Sequence, residues 1–120
     1  MAKFYDAATK DLIESDPASL LRYLGLQVNG PVTVRNSDLS TVVAESDRIL
    51  FVDEDPPWLG HVEIQSSAES DLDLRMDRYN LLIEYRERMP VISSVLLLRP
   101  EADSPRLTGV RFRQIGRAHV

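Results

Sequence analysis

The chain has 120 residues, 43% of them hydrophobic and 28% charged, enough for one globular domain with a modest core. It contains no cysteine, which excludes disulfides and thiolate metal sites. Fourteen basic against 19 acidic residues give a net charge of -5. That argues against a nonspecific DNA binder, whose affinity comes from a basic excess, and leaves room for a carboxylate site that needs a cation.

The opening "MAKFYDAATKDL" has no apolar leader core, and no run of about 18 apolar residues occurs anywhere. The expectation is a cytoplasmic protein without a membrane segment. Residues 5–24 read as helical in two pieces, the second starting at Pro17 with Asp16 as its cap and stopping at Gly25. "NGP" at 29–31 is a turn and "VTV" at 32–34 a short strand. Residues 40–52 are extended. From Asp47 they alternate, Ile49 and Phe51 sharing Asp47's face and Leu50 and Val52 the other. "DEDPP" turns the chain into the strand "WLGHVEIQ", 58–65, closing a hairpin in which Trp58 anchors the packing. There Val62 and Ile64 point one way and His61, Glu63 and Gln65 the other.

Ser70 or Asp71 then caps a helix running to about Met89, with Leu72, Met76, Tyr79 and Ile83 as its apolar stripe. Asp71 with Arg75, and Glu84 with Arg88, are spaced to pair along it. Pro90 stops the helix. "VISSVLLL", 91–98, reads as a strand covered on both sides, and "TGVRFR", 108–113, as a further strand cut short. The order predicts an α/β arrangement in three layers, or an α+β relative of it. The final "IGRAHV" matches the translation of a common sequencing adapter. Residues 115–120 are therefore read as a non-native tail on a domain, 1–114, that is truncated at its C-terminus.

One constellation carries chemistry. Asp47 begins one hairpin strand and Glu63-Ile64-Gln65 ends the next, and antiparallel pairing sets the start of one strand beside the end of the other. Two adjacent carboxylates repel unless a proton or cation compensates, and Mg²⁺ favours such oxygen ligands. "AESDRILFV", "HVEIQSS" and "LDLRMDRYN", followed by "PVISSVLLL", resemble the PD-(D/E)XK nuclease superfamily, in its branch of recombination-promoting nucleases and transposase-like proteins. The resemblance covers roughly residues 10–100. It implies a restriction-endonuclease-like core (helix, central mixed sheet with a β-hairpin, helix crossover) and a Mg²⁺- or Mn²⁺-dependent DNA endonuclease that hydrolyses phosphodiester bonds.

Under that resemblance Asp47 and Glu63 are metal ligands, with the Ile64 carbonyl as a third. Gln65 takes the position of the usual catalytic lysine, and a neutral amide hydrogen-bonds but brings no charge. Arg75 and Tyr79, one turn apart on the following helix, become phosphate-binding candidates. The first acidic position has only Glu14 as a candidate.

Each residue also has a plainer reading. Asp47 could cap its strand or pair with Arg48, Gln65 could be a sheet-edge amide, and His61 could be structural. Arg75 could pair with Asp71, Tyr79 could belong to the core stripe, and Asp53-Glu54-Asp55 could be a solvated turn. The functional alternative is a catalytically inactive nuclease-fold module that mediates protein or nucleic-acid interactions.

Overall fold

The computed structural model describes residues 11, 13–35, 48–65, 67 and 69–98. Its elements are α1 (Pro17–Tyr23), β1 (Val32–Val34), β2 (Arg48–Val52), β3 (Trp58–Gln65), α2 (Leu72–Glu87) and β4 (Val91–Leu97). The predicted helical residues 5–10, the extended residues 40–47, the strand at 108–113 and the tail at 115–120 lie outside the described residues.

Local chemistry explains where α1 starts and stops. The Asp16 carboxylate accepts from the Ser19 amide at 3.3 Å and the Ser19 hydroxyl at 2.7 Å, and Pro17 fills the first turn, where no amide donor is needed. At the other end Gly25 takes φ +90, its N–H donates to Arg22, and the Leu26 N–H donates to Leu21, both at 3.0 Å. That pattern is a Schellman motif, and the left-handed backbone it needs is what glycine supplies.

The strands form one mixed sheet in the order β1-β2-β3-β4. β2 pairs antiparallel with both β1 and β3, with Arg48 opposite Val62 and Val52 opposite Trp58. β3 and β4 are parallel, His61 beside Ser93 and Gln65 beside Leu97, joined through α2 as parallel strands require. Side-chain alternation sorts the core into two halves. Leu50, Val52, Val62 and Ile64 pack with Ile13, Leu20 and Leu21 on the α1 face. Ile49, Leu59 and Ile83 pack with Phe51, Tyr79, Met89 and Val91 on the α2 face. The described residues are thus an α/β fold with a helix layer on either side of the sheet. Gly60 permits the close approach of α1, since a Cβ there would stand 2.8 Å from a Leu21 methyl.

The loop before β1 is held to the hairpin turn by Glu54. Its carboxylate accepts from the backbone N–H groups of Asn29 and Gly30 and from the Trp58 indole at 3.1 Å. These donors hold the Glu54 carboxyl below its ordinary value, the Asn29 amide most of all. Trp58 is therefore anchored through its N–H as well as its ring, and Glu54 is a structural acceptor within the acidic turn.

Three expectations change. α2 ends at Glu87, because Arg88 adopts the left-handed conformation (φ 60, ψ 37) and donates to the Glu84 carbonyl. Asp71 occupies the N-cap position of α2 but makes no side-chain cap hydrogen bond, and its predicted partner Arg75 turns to Glu69 and Glu63 instead. β4 is half-buried along its length, with Ile92 42% exposed, where coverage on both sides was expected. Its apolar run faces both core halves, but among the described residues β4 is the sheet's edge.

Candidate functional site

β3 points a polar row, His61, Glu63 and Gln65, at the face that α2 covers. All three are buried, Glu63 to 2% exposure. Buried polar groups are costly unless they find partners, so what each one meets decides what the face can do.

Arg75, in the first turns of α2, meets Glu63. Its Nη2 lies 4.0 Å from Glu63 Oε2, while its Nη1 lies 3.0 Å from Oε1 and 3.2 Å from Oε2 of Glu69. One guanidinium therefore bridges a buried carboxylate on the strand and a part-exposed one in the connection before the helix. Burial works against the Arg75 charge, but the Glu69 hydrogen bond and the charges of Glu69, Glu63 and Tyr79 outweigh it and raise its pKa.

Gln65 turns its amide away from Glu63. Its Nε2 donates to the Ser67 carbonyl at 2.6 Å, and its backbone carbonyl accepts from Leu98 at 2.9 Å. Tyr79 joins the core half around Ile83 and meets the His61 ring edge-on, 6.1 Å between centroids at 73°. Glu14 is helical and exposed. Asp47 lies outside the described residues.

A second polar centre, barely foreshadowed by the sequence, lies beside this one. His61 Nδ1 lies 2.8 Å from Ser93 Oγ, and Asn80 Nδ2 donates to the same hydroxyl and to the Val91 carbonyl, each at 2.9 Å. Ser93 Oγ thus stands between the Asn80 amide, from which it accepts, and the His61 ring. Burial then pushes His61 down from 6.5 to about 4, against the opposing pull of the Glu63 charge. His61 is a neutral structural imidazole at neutral pH, tying β3 to β4 and, through Asn80, to α2. The available signal was two serines inside an apolar strand and an asparagine bordering the helix's apolar stripe.

Oxygen donors of the kind a hard cation prefers are present. The Glu63 carboxylate is one and the Ile64 carbonyl another. Leu59 and Gln65 bond toward β4, so the alternate residue Ile64 directs its carbonyl toward the β2 side, past Arg48. In kind this set fits Mg²⁺. In number it is short, since among the described residues no group of three or more His, Asp or Glu side chains could hold a metal ion. No helix among the described residues is long and apolar enough to cross a membrane. No family model matches the chain, and neither a curated protein nor a solved structure does.

Proposed function

We propose that the chain is a divalent-metal-dependent DNA endonuclease-like protein of restriction-endonuclease-like fold, working in a prokaryotic cytoplasm in recombination or transposition. The observation that carries this reading is the burial of Glu63 at the end of β3, between two core halves, facing an arginine from the crossover helix. A carboxylate so deep needs a cation, and the site offers oxygen donors to one. Antiparallel pairing sets the start of β2 beside the end of β3, where Arg48 stands opposite Val62. Asp47 and Glu63 would then hold Mg²⁺ or Mn²⁺ together with the Ile64 carbonyl. When bound, such an ion activates water and offsets charge on a phosphate.

The chain's own groups then have separate roles. Arg75 supplies the fixed positive charge for a phosphodiester oxygen. Gln65 supplies a hydrogen bond where related enzymes carry a lysine's charge, so the reaction it assists is slow. Tyr79 positions the α2 side of the site by packing on His61.

One observation favours the inert module. Arg75 already lies beside Glu63, and Gln65 is committed to Ser67, so the face is closed without a metal ion. Incubating plasmid DNA with Mg²⁺ or Mn²⁺ separates the two readings. The enzyme nicks or linearises it and Glu63→Ala abolishes this, whereas intact plasmid, or cutting that survives the substitution, leaves only the module.

A further inference from the structure

Arg75 has two acidic neighbours in very different settings. Glu63 is fixed on a central strand and almost wholly buried. Glu69 is in no helix or strand, its side chain is 38% exposed, and it takes the Arg75 Nη1 donor through both carboxylate oxygens. Its distances, 3.0 and 3.2 Å, are those of a full hydrogen-bonded ion pair, whereas Glu63 stands off at 4.0 Å. A third donor, Nε, makes no hydrogen bond among the described residues. The guanidinium is thus anchored from below by charge and capped from outside by a replaceable carboxylate.

We propose that Glu69 sits on Arg75 in the place of a DNA phosphate, so that nucleic acid engages this face by displacing it. Carboxylate and phosphate present the same paired oxygens to a guanidinium, which recognises either through two N–H bonds. The pair being displaced is partly exposed and therefore weak, while the buried Glu63 keeps Arg75 from leaving with its partner. An acidic protein latched in this way holds DNA poorly until Glu69 moves aside. The inference takes the identity of the anion from the DNA-cleaving reading above.

The test measures anisotropy of a short fluorescein-labelled duplex DNA in EDTA over a series of salt concentrations. The variants are Glu69→Gln, Asp71→Asn and the double Glu69→Gln/Arg75→Gln. Asp71 is an exposed acid two residues from Glu69 that makes no side-chain cap bond, so its substitution matches the change in charge without opening the latch. Glu69→Gln is expected to bind severalfold more tightly than Asp71→Asn. Its plot of log affinity against log salt is expected to steepen by about 0.9, the increment for one more neutralised phosphate. The double variant is expected to lose both changes. Equal behaviour of Glu69→Gln and Asp71→Asn, a gain that survives in the double variant, or no binding by any form overturns the proposal. The two readings fail separately. Tight binding by Glu69→Gln with no cleavage of plasmid removes the endonuclease and keeps the latch. Cleavage by the wild type with no distinctive effect at residue 69 does the reverse.

Discussion

Replacing Ser93 by alanine removes the hydroxyl at the centre of the second polar cluster. Two hydrogen bonds go with it, one accepted from Asn80 at 2.9 Å and one shared with His61 Nδ1 at 2.8 Å. The two bonds together contribute about 2–3 kcal/mol, the larger share at His61, whose imidazole has 0% exposure. Asn80 keeps its bond to the Val91 carbonyl, which limits the damage on that side. The expected loss is therefore about 2–3 kcal/mol, or about 10–15 °C in Tm for a domain of this size. Urea denaturation measures it as a lower midpoint at unchanged slope. Ser94→Ala is the control, since Ser94 pairs with Val62 and so shares the α1 face, away from His61. A loss below about 0.5 kcal/mol for Ser93→Ala, or one no larger than the control's, refutes the view that this hydroxyl holds the cluster together.

Other expectations concern pH, close approach and charge. His61 is depressed from 6.5 to about 4, chiefly by burial, with the charge of Glu63 on its own strand opposing; from α2 the Tyr79 ring packs against it. Between those values the unfolded chain binds the proton and the folded one does not, so stability is full above pH 6.5 and falls toward pH 4, by about 3 kcal/mol at most. Urea midpoints read against pH should flatten over this window in His61→Gln, and an unchanged slope would exclude His61 as its source. Gly30→Ala should destabilise more than Gly60→Ala in thermal melts. A Cβ at 30 runs into the rigid Asp53 carbonyl oxygen, whereas at 60 it meets a Leu21 methyl at 2.8 Å that can give way at about 1–3 kcal/mol; the reverse order would mean that the hairpin turn yields first. Arg75→Met should cost about 1–3 kcal/mol by leaving Glu63 buried beside an apolar group, and adding Glu63→Gln should recover most of it. Additive effects of the two substitutions would show that the 4.0 Å pair is not coupled.

The alternation along β3 carried most of what was legible. It put Val62 and Ile64 on one face and His61, Glu63 and Gln65 on the other, and the two helices divide along that line. Asp16, Pro17 and Gly25 mark the limits of α1 because capping is chemistry between near neighbours. Partnerships across elements were not legible. The spacing of Asp71 and Arg75 suggested an ion pair along the helix, but Arg75 also sees two carboxylates that precede the helix, and both lie nearer to its donors. The exposure of β4 escaped for a related reason, since an apolar run does not tell whether a further strand lies beside it. The His61–Ser93–Asn80 chain joins three elements, and no single stretch of sequence contains it.

The most direct measurement is a calorimetric titration of Mn²⁺ into the wild-type protein and into Glu63→Gln, at a pH where both are folded. A buried carboxylate reserved for a cation predicts saturable binding by the wild type that vanishes in the variant. No binding by the wild type, or an isotherm that the substitution leaves unchanged, contradicts the proposed metal site and leaves Arg75 as the cation that Glu63 meets among the described residues.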